Sequence, residues 1–351
     1  MNKKINMTTG ILVGCIFLSL VSCGGPTEKA IRQVEQIHFA AGSFNLVGEL
    51  TIPQGKGPFP LVLLVHGDGP GFKTDYGTAR GRMLRAGYTT FVWDKPGSGA
   101  STGTFEKKQL LSQRAQILCA AIERIKRQPL IDPKRIGVWG ISQGGYVMSI
   151  ALSKTNDIAF VIAVSCPGEA SVYQASYLVK SFAECEGATK EIGDEIRECV
   201  LAMNSAATYE EYVMYSHRMK KYAKYLKKLG VGSAGPNGKD EWHRSGPEYF
   251  FDPMKNIERT KVPILAFFGE NDKQADPVQG FEAYKKAIEV GGNKLSQVIM
   301  VPGVDHVLVS SATGCIKEWQ TRTQKGWSSY SPTYLDKMEV WLKKIRNYQG
   351  R

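Results

Sequence analysis

Ser142 sits between two spaced glycines in Gly140-Ile141-Ser142-Gln143-Gly144, directly after the run Arg135-Ile136-Gly137-Val138-Trp139 and before a helix-like stretch from Tyr146 to Leu152. A serine at the apex of a sharp strand-to-helix turn presents its hydroxyl for attack on an acyl carbon. Side chains at Gly140 or Gly144 would collide with the backbone that such a turn brings close. The string alone is common, so the chemistry needs partners. The run 262–268 leads into Gly269-Glu270-Asn271-Asp272, and the run 297–301 leads into Pro302-Gly303-Val304-Asp305-His306. A hydroxyl, a carboxylate and an imidazole, each just past an apolar run, are the residue types of nucleophilic acyl chemistry.

Each position has rivals. Glu270 and Asp276 are acids near Asp272, and Asp305 adjoins His306, where a turn role suits it. His38 falls on an edge strand, His66 in a glycine-rich turn, and His217 and His243 in the stretch 167–253, where no strand pattern appears; only His306 follows a strand after both the serine and the acids. Cys166 also follows an apolar run, but without flanking glycines it reads as a small buried residue. His306 is therefore the expected imidazole partner of Ser142, and Asp272, Glu270 and Asp276 are the acids from which its carboxylate partner is drawn.

The elements that must carry these residues can be read from periodicity. Segments 34–40 and 46–52 alternate as strands joined through Gly42-Ser43, an antiparallel hairpin at a sheet edge. A buried strand 60–65 ends at His66-Gly67-Asp68-Gly69-Pro70. A helix over about 74–86 closes at Gly87, and a strand 89–93 ends at Asp94-Lys95-Pro96-Gly97-Ser98-Gly99. A long amphipathic helix spans about 109–128 and stops at Pro129 to Pro133. The strand to Gly140, the helix to Leu152 and the strand 158–164 come next. This alternation predicts an α/β fold, a mainly parallel sheet covered by helices on both faces. Each candidate then lies at the carboxyl end of a strand, where open α/β sheets bind ligands.

The rhythm changes over 167–253. Val172, Ala175, Leu178 and Phe182 mark one helix, the stripe Ile192, Ile196, Cys199, Val200 and Met203 a second, and 209–229 a third, dense in tyrosine and lysine. That third helix reads as a basic solvated face over an aromatic packing face, the alternative being a lid whose tyrosines line an acyl or alcohol pocket. The glycine-rich segment 230–246 reads as a mobile loop. Beyond His306 no period is clear until a final helix over 335–345.

Composition bounds the rest. The chain has 351 residues, 42% hydrophobic and 22% charged, an ordinary globular balance with room for one large domain and an insertion. The net charge of +12 comes from scattered basic residues without a nucleic-acid motif, so no nucleic-acid partner is expected. Lys3 and Lys4 precede the short apolar run 11–22, the layout of a secretory leader. Seven cysteines invite a disulfide reading, but Cys199 lies well up a helix from Cys185, too far to bridge. No disulfide is expected. No C-x-x-C and no zinc-type spacing occurs, so neither metal nor cofactor is expected.

Taken together, Ser142, then Asp272, then His306 in chain order, with Val65-His66-Gly67-Asp68-Gly69-Pro70 and Asp94–Gly103 upstream, resemble bacterial α/β-hydrolases of the esterase and dienelactone-hydrolase-like kind. The resemblance covers about 34–351 apart from the insertion. Related enzymes usually have Arg where Pro96 stands. It implies that Ser142 attacks an ester carbonyl, His306 relays the proton, Asp272 orients the imidazole, and the backbone N–H groups of Asp68 and Gln143 hold the oxyanion. It also implies that the helical insertion is a cap over the site. The same triad would serve a serine peptidase, an acyltransferase or a thioesterase, and a non-catalytic binding protein on this scaffold is the alternative of a different class. Leu20-Val21-Ser22-Cys23 resembles a bacterial lipobox, which implies lipidation at Cys23 and a membrane-anchored protein outside the cytoplasm. The expected organisation is a leader over 1–22, a tether over 23–33, a first half of the core over 34–166, the cap over 167–253 and a second half over 254–351.

Overall fold

The computed structural model describes residues 31–227, 246–324 and 330–347. The expected leader, Cys23 and most of the tether lie outside the described residues, as does the glycine-rich loop apart from Gly246. The hairpin comprises β1 (Ile31–Ala41) and β2 (Phe44–Pro53), with β1 starting three residues before the alternation at Val34. Then come β3 (Phe59–Val65), α1 (Gly77–Arg85), β4 (Thr89–Trp93), α2 (Leu110–Ile125), β5 (Ile131–Ile141), α3 (Gly144–Leu152) and β6 (Ile158–Val164). The insertion supplies α4 (Ser171–Cys185), α5 (Lys190–Asn204), α6 (Tyr209–Met219) and the short α7 (Ala223–Leu226). The chain returns through α8 (Met254–Ile257) to β7 (Ile264–Gly269), α9 (Pro277–Gly291), β8 (Gln297–Val301), α10 (Ile316–Gln324) and α11 (Pro332–Ile345).

The eight strands form one sheet in the order β1-β2-β4-β3-β5-β6-β7-β8. Pairing is antiparallel between β1 and β2 and between β2 and β4, and parallel elsewhere, so β2 alone runs against the rest. Alternate residues of β3 enter opposite cores. Leu61, Leu63 and Val65 pack under α2 and α3, whereas Val62 and Leu64 pack under α1 and α11. Burial on both faces explains why β3, β6 and β7 read as continuous apolar runs instead of alternating ones.

Register brings the strand ends into line. Val65 pairs with Gly140, Ile141 with Val164, Val164 with Phe267, and Gly269 with Val301. The segments after β3, β5, β7 and β8 therefore emerge along one edge. The order reverses at β3, whose neighbours are β4 and β5, the topological switch beside which α/β sheets open a crevice.

Several expectations need correction. Cys185 and Cys315 are joined in a disulfide across 130 residues, which ties the end of α4 to the segment before α10. Helical spacing does separate Cys185 from Cys199, but the partner of Cys185 comes from another layer of the fold. The third insertion helix is not continuous to 229: α6 ends at Met219, a 3-10 turn covers Lys220–Tyr222, and α7 comes after it. That turn rotates Tyr222 and Leu226 into the buried cluster around Ile196 and Val200. β5 begins at Ile131, ahead of Pro133, with a register shift there that accommodates the missing N–H. Helices α9 and α10 have no counterpart among the elements expected from periodicity.

Candidate active site

Ser142 closes β5 with φ at +54°, a left-handed conformation that costs a non-glycine residue about 1–3 kcal/mol and persists only where its surroundings enforce it. Those surroundings are visible. The Ser142 N–H donates to Val164 O at 2.9 Å, which pins the apex to β6, and α3 starts two residues later. A Cβ at Gly144 would stand 2.9 Å from Val65 O, so only glycine lets the first turn of α3 lie against the end of β3. The Cβ position of Gly140 faces the flexible end of Met148.

Asp272 and His306 meet directly. His306 Nδ1 lies 2.7 Å from Asp272 Oδ2, with both side chains almost fully buried. The other carboxylate oxygen accepts from the N–H groups of Gln274 and Ala275 at 2.7 and 3.0 Å. An acceptor-only carboxylate at Nδ1 places the proton there and leaves the lone pair on Nε2. Nε2 is buried and has no hydrogen-bond partner among the described residues, so the link to the Ser142 hydroxyl is not closed in this resting geometry. Burial by itself would lower the imidazole pKa. The charge and hydrogen bond of Asp272, helped by Asp305, outweigh it and hold the pKa above the ordinary value of 6.5. The His306 loop folds back over β7: a Cβ at Gly269 would lie 2.3 Å from Asp305 O.

The rival acids are occupied elsewhere. Glu270 accepts from the Gly303 N–H at 2.9 Å and shapes the turn after β8, and Asp276 caps α9 through the N–H groups of Val278 and Gln279. Asp305 accepts from the N–H groups of Val307 and Val309 and folds the turn that carries His306. His38 and His217 are exposed, and His243 lies outside the described residues. His66 is buried against Asp75, 3.3 Å away. The Cys166 thiol donates to Gly140 O at 3.3 Å, and burial pushes its pKa up to about 12, so at neutral pH it is a protonated core group.

Around Asp68 and Gln143 the structure contains two cations that the pattern did not single out. Arg114, on the buried face of α2, donates to the side-chain oxygen of Gln143 and to the His66 carbonyl. Burial lowers its pKa to about 10, which still leaves it charged at neutral pH. Gln143 in turn donates to Asp68 Oδ1 at 3.2 Å. Lys95 reaches the carbonyls of Gly67 and Gly69 at 2.7 and 2.5 Å. A buried arginine in an amphipathic helix was the available signal for the first. For the second it was a lysine inside an otherwise small-residue loop. Among the described residues no group of three or more His, Cys, Asp or Glu is placed to hold a metal ion.

A strained serine after β5, a buried carboxylate–imidazole pair after β7 and β8, and a cation-braced turn after β3, on one edge of this sheet, define an α/β-hydrolase of the serine-hydrolase class. The chain belongs to the X-Pro dipeptidyl-peptidase (S15) family, whose match covers residues 42–307. It is similar to the esterase EstD of Thermotoga maritima, 24% identical over 287 residues, which is 76% of this chain and 58% of that protein. It is also similar to the thiohydrolase apmlB of Arthrinium phaeospermum, 30% identical over 131 residues, or 35% of this chain and 39% of that protein. Both matches thus span less than two thirds of the relative's length. The Pyrococcus furiosus esterase Pf2001 superposes with a TM-score of 0.51 at 16% identity, over 89% of this chain and 90% of that one, which establishes the common fold.

Proposed function

We propose that this serine hydrolase cleaves carboxylic esters of small molecules through an acyl-enzyme intermediate. Ser142 is the nucleophile, His306 the base that later protonates the leaving alcohol, and Asp272 the residue that holds the imidazole. The buried 2.7 Å contact between His306 Nδ1 and Asp272 Oδ2 carries the reading, because it fixes the tautomer whose Nε2 can take a proton. The oxyanion is assigned to the backbone N–H groups of Asp68 and Gln143. The likeness to EstD supports ester substrates. The family description supports a second reading, release of dipeptides from X-Pro peptides.

A panel of p-nitrophenyl esters of increasing acyl length, assayed beside Gly-Pro-p-nitroanilide, separates the two. Ester turnover that disappears in Ser142→Ala supports the first. Turnover of the anilide with none of any ester overturns it in favour of the second.

The same proposal extends to location, with the mature chain anchored to a membrane outside the cytoplasm through a lipid on Cys23. The Cys185–Cys315 disulfide supports an oxidising compartment. No helix among the described residues is long and apolar enough to cross a membrane. Metabolic labelling with a fatty acid that persists in Cys23→Ser would contradict lipidation at that residue.

A further inference from the structure

The Asp94–Gly103 segment has no role in the chemistry assigned so far, yet Asp94, Lys95 and Ser98 lace its first half to the turn after β3. The Lys95 N–H donates to Gly71 O at 2.9 Å, and the Gly71 N–H donates to Ser98 Oγ at 3.4 Å. Asp94 accepts from the Lys73 N–H at 2.7 Å and the Lys73 ammonium at 3.1 Å. At the centre, the buried Lys95 ammonium donates to Gly67 O and Gly69 O.

We infer that Lys95 is the positioning residue of the oxyanion site: by holding the carbonyls of Gly67 and Gly69 it fixes the direction of the Asp68 N–H. The argument rests on peptide geometry and on the reading of Ser142 as nucleophile. A trans peptide is planar, with its C=O and the following N–H pointing opposite ways. Pinning Gly67 O on Lys95 therefore turns the Asp68 N–H to the other side of the plane. The peptide before it is held too: Arg114 takes His66 O, and the Gly67 backbone lies against the Tyr76 hydroxyl. The peptide after Gly69 belongs to Pro70 and has no N–H to offer. Asp68 thus carries the one N–H in 67–70 whose orientation depends on Lys95.

The Gly67–Asp68 peptide follows a glycine, so residue 67 offers its rotation little steric resistance. Flipping would direct the Gly67 carbonyl where negative charge develops. With Lys95 in place, a flip would break the 2.7 Å hydrogen bond from a buried ammonium to Gly67 O, a loss that burial makes costly. The ammonium acts through the loop and touches no reacting atom in this assignment.

The test compares wild type with Lys95→Met and Lys95→Gln on p-nitrophenyl butyrate. An alkyl trifluoromethyl ketone serves as a tetrahedral-adduct probe, and thermal melting as the control for folding. Loss of a working oxyanion donor lowers kcat by about 100-fold or more. Lys95→Met is expected to lose kcat on that order, keep KM within a few-fold, and lose ketone affinity by the same factor as kcat. Lys95→Gln keeps a donor without the charge or the reach and should fall between the two; it also serves if the methionine variant does not fold. A folded variant of either kind with wild-type kcat and ketone affinity overturns the assignment of Lys95 alone. A wild type that neither hydrolyses the ester nor binds the ketone overturns the Ser142 reading, and the Lys95 assignment with it. Equal losses of ester KM and ketone affinity, with kcat intact, would mark a general packing role and also overturn the proposal.

Discussion

The sheet and the helical insertion solve the same packing problem with very different amounts of material. Strands β3, β4, β6 and β7 are buried along their whole length between two layers of helices. The insertion gathers a single small cluster, Val179, Ala183, Ile196, Cys199, Val200, Met219, Tyr222 and Leu226, and turns its lysines outward. Lys221 and Lys224 lie over the rings of Tyr222 and Tyr225 at 4.5 and 4.6 Å, the solvated basic face over aromatic packing that the residue pattern predicts. The thinner region does not stand alone. Helix α4 is attached to the acid side of the site at three points: Gln174 to Gln274 O, Tyr177 to Asp272 O, and the Cys185–Cys315 bridge. The sheet supplies rigidity for the reacting groups. The insertion borrows that rigidity through α4.

If the chemistry belongs to the sheet edge, Ser142→Ala should abolish fluorophosphonate labelling and reduce ester turnover by roughly 10⁶-fold while the melting temperature holds. Labelling equal to wild type would move the nucleophile elsewhere. Asp272→Asn should cost about 10⁴ in kcat by presenting the wrong imidazole tautomer.

The same variant tests the electrostatics. In wild type, His306 must be neutral to act as a base, so kcat/KM should rise with pH through a midpoint above 6.5. Without the Asp272 charge, burial dominates and the limb should move to lower pH. The raised imidazole pKa stabilises the fold fully below about pH 6.5, and that contribution fades as pH climbs through the folded value. An unshifted rate limb in Asp272→Asn would remove Asp272 from the assignment.

The contrast in packing is sharpened by two stability measurements. Leu63→Ala, in a fully buried strand, should lose about 2–5 kcal/mol of unfolding free energy. The paired change Cys185→Ser with Cys315→Ser should lose about 2–4 kcal/mol, read by denaturant titration. Its loss should be confined to the early, insertion-dominated part of the transition if the bridge serves chiefly to fasten that region. Coincident single transitions in both variants would show that the two regions unfold as one. The smallest effect is expected of Tyr177→Phe, which removes one 2.9 Å hydrogen bond to the Asp272 carbonyl. About 1 kcal/mol of stability should go with it, together with a few-fold loss in turnover and no change in labelling.

Much of this was legible in order and periodicity. Runs buried on both faces announce parallel strands, and the polar or glycine-rich residues at their carboxyl ends mark the edge where the candidates lie. The unread contacts share a physical cause, that their partners are remote in the chain. Cys315 meets Cys185 only through the tertiary fold, across 130 residues, which no local spacing encodes. Lys95 and Arg114 look like ordinary loop and helix charges until the loop after β3 is folded between them. Helix α10 shows no clear apolar period, so its sequence reads as loop.

The left-handed backbone at Ser142 has a consequence for how such a protein can change over time. A glycine there would relax the turn and be expected to raise the melting temperature by the few degrees that about 1 kcal/mol represents, while removing the hydroxyl proposed as nucleophile. The alanine variant, which keeps the awkward dihedral, should gain nothing of the kind. Selection on robustness alone would therefore favour glycine at that apex over a residue that carries a hydroxyl there.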